Sequence, residues 1–233
     1  MNFDDFDLWW RERGDKNEMS PMRAQLEKAL CDKASRDIEY SISWRLARWH
    51  HFAAMKNGED SSAARAHFAS GVRQAQRAVK LRKAAQREGV EADFWHAVNA
   101  LEEARLTSKI ATLRVLPRAT RTLTKVVRCD EEFHFAGALR VLGRITHLKP
   151  KFLGGGAEKS LAIFAQALEI APQNSTTRLY FAQALNTANR ADDARRELET
   201  ILSQPLDLEW KWEQARDKTV VARLLNEPEA QDK

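Results

Sequence analysis

Apolar residues recur at helical spacing along almost the whole chain, and no stretch alternates long enough to indicate a strand. The pattern predicts helices over about 20–34, 37–56, 61–89, 91–112, 117–128 and 132–146, with four more beginning near Ala157, Ser175, Asp192 and Leu208. Ser20-Pro21 is a helix cap followed by a first-turn proline, and Asn57-Gly58 ends the second helix. The sequence therefore predicts an all-α protein of about ten helices.

A repeat is visible in the second half of the chain. The segment 152–172 has the pattern of a glycine-rich bend followed by the second helix of a tetratricopeptide-type hairpin. That helix is recognised by a small residue, an aromatic residue, an alanine and a proline at fixed positions, which are here Ser160, Phe164, Ala167 and Pro172. About 34 residues later the same register is filled by Ala194, Leu198 and Ile201, with Pro205 one position early. Between them, Phe181, Ala182 and Leu185 match the first helix of such a hairpin. The pattern predicts a tetratricopeptide-like solenoid of helical hairpins.

The organisation predicted from these patterns is a single helical domain over 1–233. Composition does not shift enough to divide the chain, although its first half lacks a regular repeat. We expect an N-terminal extension over 1–19, an irregular helical half over 20–131, a tetratricopeptide-like half over 132–227 and a tail over 228–233.

Composition supports an ordinary globular helical protein, with 43% apolar and 30% charged residues, nine Gly and six Pro. No apolar run approaches the length of about 18 residues that a membrane helix needs. The first ten residues lack the basic flank and apolar core of an export signal, but a processed protein would look the same. Cys31 and Cys129 have no metal-type spacing, which favours free or buried thiols over a disulfide.

A resemblance to a known family covers roughly 37–226. Four blocks carry it: Trp44-Arg-Leu-Ala-Arg48, Phe94-Trp-His-Ala-Val98, Leu139-Arg-Val-Leu-Gly-Arg144 and Phe152-Leu-Gly-Gly-Gly156. In this order they resemble the tetratricopeptide-like T component of tripartite ATP-independent periplasmic (TRAP) transporters, and they are similar to the helical domain of the regulator-of-microtubule-dynamics family. The resemblance implies a non-enzymatic, periplasmic or outer-membrane-associated protein that handles small or lipidic ligands. The chain shows no lipobox cysteine near its start, and the sequence leaves a cytoplasmic location open.

Aromatic residues and histidine cluster at several helix positions, which predicts a cavity for an apolar molecule such as a lipid or sterol. The alternative interpretation is that the rings fill grooves between helices. The candidate ligand-binding residues are Trp44, Trp49, His50, Phe52, Phe94, Trp95, Phe133 and Phe135, with Phe152 and Leu153 folding over the cavity mouth.

A basic stripe is the second candidate site. No acidic residue occurs between Leu106 and Arg128, and bases recur at spacings of three and four at Arg114, Arg118, Arg121, Lys125 and Arg128. This spacing places them on one helical face, which is suited to an anionic membrane surface or an acidic partner such as a transporter protein. A merely solvated basic face is the alternative. Nucleic acid is disfavoured, because no base-reading motif accompanies the stripe.

Motifs for catalysis, metal and cofactors are missing from the sequence. There is no Gly-x-Ser-x-Gly, and no histidine pair has the spacing of four that metal-binding helices use. The Gly154-Gly-Gly156 loop lacks the ending of a P-loop and predicts a structural bend. We therefore expect a non-enzymatic carrier or transport-system component without cofactor or metal. A scaffold for protein–protein interaction is the alternative.

Overall fold

The computed structural model describes residues 3–13, 19–31, 35–58 and 61–226, and every regular element in this part of the chain is helical. The helices are α1 (Asp4–Arg11), α2 (Met19–Cys31), α3 (Arg36–Lys56), α4 (Ser62–Ala84), α5 (Glu91–Thr107), α6 (Lys109–Cys129), α7 (Phe133–Leu148), a 3₁₀ turn (Lys151–Leu153), α8 (Ala157–Ile170), α9 (Ser175–Thr187), α10 (Ala191–Ser203) and α11 (Lys211–Asn226). Adjacent helices pack as hairpins, which confirms the predicted all-α solenoid. None of these helices is both long and apolar enough to cross a membrane.

The helices form two compact units. Unit 1 lies within Met1–Trp10 and Asp15–Phe133, and unit 2 lies within Arg11–Gly14 and His134–Lys233. The division falls close to the predicted limit between the irregular half and the tetratricopeptide-like half. The single-domain organisation stays a prediction.

Helix α1 lies within the segment expected to be an N-terminal extension, and it docks on α3 of unit 1 through the buried ring of Phe6 and the carboxylate of Asp7. Asp7 accepts hydrogen bonds from Arg45 at 2.6 Å and from Arg48 at 2.9 Å. Both guanidinium groups also lie over the ring of Trp44, at 4.2 Å and 5.0 Å from its centroid. The Trp44-Arg-Leu-Ala-Arg48 block therefore holds α1 by ion pairs, and Trp44 orients the two arginines by cation–π contacts within α3.

The predicted helix limits over 91–128 were wrong at one point. The chain breaks at Ser108 rather than between Thr112 and Pro117, because the Ser108 hydroxyl accepts a hydrogen bond from the Ala111 amide at 3.0 Å and caps α6. Pro117 lies inside α6 instead of opening a helix. The result is one continuous helix of 21 residues, so the basic residues and the residues before Pro117 lie on the same helix.

Unit 2 begins with an unusual turn. His134, Phe135 and Ala136 at the start of α7 have φ of 54°, 57° and 54°, so the first turn of this segment is left-handed and strained. Buried Arg140 donates hydrogen bonds to the carbonyl oxygens of Phe135 at 3.1 Å and His134 at 3.5 Å. Burial lowers the pKa of Arg140 to about 10, which leaves it charged at neutral pH. The strained turn is thus held by a buried cation.

The repeat positions predicted in unit 2 form its core. Phe164, Ala182, Leu185 and Ala194 are buried in one cluster between α8, α9 and α10. Gly143 of α7 faces the ring of Phe164 so closely that a Cβ atom there would lie 2.6 Å from a ring carbon. The glycine of the Leu-Gly-Arg block is therefore a packing requirement of the hairpin stack.

Candidate ligand site and partner surface

Five aromatic rings of unit 1 form one contact series, and four of them are predicted ligand residues. The ring of Phe52 lies 5.7 Å from that of Trp10, which lies 6.4 Å from Trp95. Trp95 contacts Phe94 at 5.0 Å, and Phe94 contacts Phe133 at 5.3 Å. Phe52, Phe94 and Trp95 are buried, so most of the series is core, whereas Phe133 at its end is only half-buried.

Three predicted residues on α3 lie outside this series. Trp44 is buried against the arginines that hold α1, and Trp49 belongs to a core cluster with residues of α1 and α2. His50 is buried beside His67, with 3.2 Å between their Nδ1 atoms. Burial, with the nearby charges of His67, Arg23 and Arg73, lowers the pKa of His50 to about 3.

The predicted ligand residues of unit 2 occupy different environments. The rings of Phe135 and His134 both contact the ring of Trp210, with centroid distances of 5.1 Å and 5.2 Å. Phe152 and Leu153 lie on the 3₁₀ turn, where Phe152 is 86% exposed and Leu153 48%. A role of these residues in ligand binding stays a prediction.

A cleft of about 510 Å³ lies in unit 1, where Phe133 ends the ring series. It is bounded by the end of α4, the segment before α5, the end of α6 and the start of α7. The lining residues are Arg82, Arg87, Glu88, Gly89, Val90, Glu91, Asp93, Lys125, Val126, Cys129, Asp130 and Phe133. Its volume falls in the range of about 300–1,000 Å³ that is usual for small-molecule sites.

Ion pairs order one wall of this cleft. Asp93 accepts a hydrogen bond from Arg82 Nη2 at 2.6 Å, and Lys125 Nζ lies 3.7 Å from the same carboxylate. The Nε atom of Arg82 is buried without a hydrogen-bond partner among the described residues. Val90, Val126 and Phe133 supply apolar surface to the same cleft. The arrangement suits a molecule that has an apolar body and a charged or polar end.

The end of the cleft near α5 depends on a glycine. Tyr40 donates a hydrogen bond to Glu91 Oε2 at 3.0 Å, and burial together with this carboxylate raises the pKa of Tyr40 above its usual range. Gly89 has φ of +122°, and a Cβ there would lie 2.5 Å from the Glu91 carboxylate. The positive φ favours glycine here, and a larger residue would displace the Glu91 carboxylate from Tyr40.

Apart from Lys125, sequence patterns identified neither Trp10 nor the charged lining of the cleft. Trp10 lies in the segment expected to be an extension. Arg82 and Asp93 are on different helices, and spacing along the chain does not show that they pair. One usable indication was Gly89 directly before a helix, since an isolated glycine there often marks a left-handed or closely packed backbone.

The predicted basic residues share one exposed face of α6, here called the α6 face. It comprises Arg114, Arg118, Arg121, Lys125 and Arg128. Because α6 begins at Lys109, the same face continues to Ile110 and Leu113, which are 63% and 61% exposed. Within the described parts of the chain, the four arginines form no ion pair, and Lys125 alone contacts a carboxylate. The face therefore joins uncompensated positive charge to an exposed apolar end.

Other candidate chemistry is sparse among the residues that the structure describes. No group of three or more His, Cys, Asp or Glu side chains could hold a metal ion there. Cys31 and Cys129 are exposed free thiols. An open groove at the end of unit 2 between α10 and α11 is lined by Leu202, Lys218, Thr219, Ala222, Arg223 and Asn226. It has no aromatic wall, so the unit 1 cleft is the better candidate site.

A stack of helical hairpins with an amphipathic cleft and a basic outer face defines a protein of the helical-repeat binding class. The family model described as TRAP transporter T-component matches residues 47–213, and the chain belongs to this family. The resemblance found in the sequence is thereby confirmed, and the protein is a component of a transport system. No curated protein matches the chain.

Proposed function

We propose that this protein is a non-enzymatic, periplasmic transport-system component that binds an apolar or amphipathic molecule, such as a lipid or sterol-like compound, in the cleft of unit 1. The observation on which this proposal depends is the cleft of about 510 Å³ where the half-buried ring of Phe133 ends an aromatic series. The apolar body of the ligand would lie on Phe133, Val90 and Val126.

The polar end of the ligand would lie at the Arg82–Asp93–Lys125 wall. An anionic group would interact with Lys125, whose side chain is 59% exposed, and with Arg82. Asp93 would keep both cations oriented in the absence of ligand, because it already contacts each of them. No group in this wall has the geometry of a nucleophile and its base, which supports binding without catalysis.

The α6 face supports a second role, which is docking on an acidic surface of a partner protein in the same transport system. Four unpaired arginines on one side of a helix attract an acidic surface and accelerate association at low salt. Ile110 and Leu113 would supply the apolar part of the contact. Because Lys125 belongs to both the face and the cleft, partner docking and ligand release would act on a shared residue.

Gentle purification from the native bacterium, followed by solvent extraction and mass spectrometry, tests the ligand proposal. A stoichiometric lipid or sterol-like molecule is the expected result. Phe133→Ala should reduce its amount, whereas Phe181→Ala, which changes a half-buried ring of unit 2, should not. If the extract is empty, or if both variants lose the ligand equally, the cleft is not the binding site.

A probe at the cleft gives an independent measurement. Cys129 lines the cleft, so a dansyl maleimide attached there in a Cys31→Ser background reports its polarity. A long-chain fatty acid should shift the emission of this label to shorter wavelength. The same label on Cys31 in a Cys129→Ser background is the matched control and should not respond.

The partner role is tested with Arg118→Glu and Arg121→Glu together. These changes should abolish capture of an acidic transporter protein while leaving the fatty-acid response intact. Capture that survives the double charge reversal would remove the α6 face from the proposal and leave the ligand site unaffected.

A further inference from the structure

The last residue of α7 and the 3₁₀ turn that follows form an exposed apolar tip, which we define as Leu148–Leu153. Leu148, Phe152 and Leu153 are 64%, 86% and 48% exposed. Phe152 is the most exposed of the large apolar side chains among the described residues. Exposure of three large apolar side chains within six residues needs an explanation, because contiguous apolar surface usually marks a contact site.

Backbone hydrogen bonds pair the amides at the end of the tip and those of the glycines that follow it. The Leu153 and Gly155 amides donate to the Pro150 carbonyl oxygen at 3.0 and 3.1 Å. The Gly154 amide donates to Lys151, and the Gly156 amide donates to Thr146 at 2.8 Å. These bonds lower the cost of moving the end of the turn from water to the membrane interface, because paired amides lose less on dehydration.

Glycine makes this conformation tight and preformed. A Cβ at Gly155 would lie 2.1 Å from the Lys149 carbonyl oxygen, so the loop closes on itself where the chain leaves the tip. Gly154 has φ of +84°, the left-handed conformation that ends the 3₁₀ turn. A preformed tip loses little conformational entropy when it binds.

Charge identifies the partner surface. Lys149 and Lys151 flank the apolar side chains, and the sequence contains no carboxylate from Phe133 to Ala157. Lysine stems can lie along apolar surface while their ammonium groups reach an anionic layer above it. In a bilayer interface, acyl chains lie below anionic head groups. The tip has the same order of groups, with apolar side chains at its end and lysines beside them.

We propose that the tip inserts into the surface of an anionic phospholipid bilayer, with Phe152 and Leu153 in the acyl region and Lys149 and Lys151 at the head groups. The contact is shallow and reversible, because three apolar side chains and two lysines supply only a weak membrane affinity. The tip brings unit 2 to a membrane without a membrane-spanning helix. This contact is independent of the ligand cleft in unit 1.

Sedimentation with extruded vesicles of phosphatidylglycerol and phosphatidylcholine tests the proposal on the full chain. Phe152→Ala should lower the partition coefficient about tenfold, since it removes most of one inserted side chain. Lys149→Ala and Lys151→Ala should each lower it about fivefold, and pure phosphatidylcholine vesicles should bind weakly. Leu208→Ala removes an apolar side chain that is 70% exposed elsewhere in unit 2, and it should leave binding unchanged.

Insertion itself is measured with a label at the tip. Phe152→Cys in a background with Cys31→Ser and Cys129→Ser accepts a nitrobenzoxadiazole group, whose emission should rise on binding and fall with brominated lipids. The proposal is overturned if the wild-type chain does not bind the vesicles, or if Phe152→Ala and Leu208→Ala bind equally. A third result also overturns it: the wild-type chain forms an oligomer and does not bind vesicles, and Phe152→Ala dissociates that oligomer. The tip would then be a contact between copies of the chain.

Discussion

Acidification should destabilise unit 1 through His50. This side chain is buried, its Nδ1 lies 3.2 Å from Nδ1 of His67, and its ring packs on Trp49 at 5.0 Å. Arg23 and Arg73 supply further positive charge. Burial and these charges disfavour the protonated imidazole, so the pKa of His50 falls from an ordinary 6.5 to about 3.

The sign and the size of the effect follow from linkage. In the unfolded chain His50 takes up a proton near pH 6.5, whereas in the folded chain it stays neutral down to about pH 3. Stability is therefore fully present above about pH 6.5 and falls as the pH drops towards 3. Each pH unit in this window costs about 1.4 kcal/mol, so lowering the pH from about 7.5 to about 5 should cost roughly 2 kcal/mol from this group. Burial also lowers the pKa of His67, which adds in the same direction.

Urea unfolding followed by circular dichroism at both pH values, at fixed ionic strength, measures the effect. His50→Gln cannot titrate and should reduce the pH-dependent loss by roughly 1.5–2 kcal/mol relative to the wild type. His67→Gln should reduce it less, because that ring is more exposed than His50. If His50→Gln loses as much stability on acidification as the wild type, the buried neutral state of His50 is refuted.

Three further changes test unit 2, each by its urea midpoint. Gly143→Ala places a Cβ 2.6 Å from the Phe164 ring, and such overpacking costs about 1–3 kcal/mol. Because the higher helix propensity of alanine stabilises the helix by about 1 kcal/mol, we expect a net loss of stability of about 1 kcal/mol. A gain in stability would show that the Phe164 ring can move. Asp217→Ala removes the carboxylate that accepts hydrogen bonds from the Ser175 and Thr176 hydroxyls at 2.7 and 2.6 Å. We expect the free energy of unfolding to fall by about 3 kcal/mol, and an unchanged value would contradict this buried network. Arg140→Lys keeps the charge but loses the planar guanidinium that holds the left-handed turn, and we expect a loss of stability of about 2 kcal/mol. Wild-type stability would show that the turn does not need the guanidinium.

Helical periodicity was sufficient to predict the fold class, because each hairpin buries one apolar stripe that is visible at short range in the chain. It did not find α1, whose place depends on Asp7 meeting Arg45 and Arg48 about 40 residues away. The limit between α5 and α6 was misplaced for a local reason. Proline is favoured at a helix start, but the Ser108 cap outweighs that preference.

The candidate site was less accessible from sequence than the fold. A ring-rich helix does not show which rings meet, and the structure places Trp49 and Trp95 in different groups. The cleft depends on the Arg82–Asp93 pair and on Gly89, which come together only when α4 and α5 pack as a hairpin. The α6 face could be predicted because its residues lie on one helix and need no tertiary information.

The blocks by which the family was recognised have structural roles that are visible in the contacts. Arg45 and Arg48 hold α1, Gly143 admits Phe164, and Gly155 closes the apolar tip against the Lys149 carbonyl. A family resemblance based on such residues identifies a shared way of packing helices. In the proposed function, the lining residues of the cleft in unit 1 would determine the cargo. Lys125→Ala should therefore weaken binding of an anionic ligand with little effect on stability, because the Lys125 side chain is 59% exposed, while substitutions in the blocks should lower stability first.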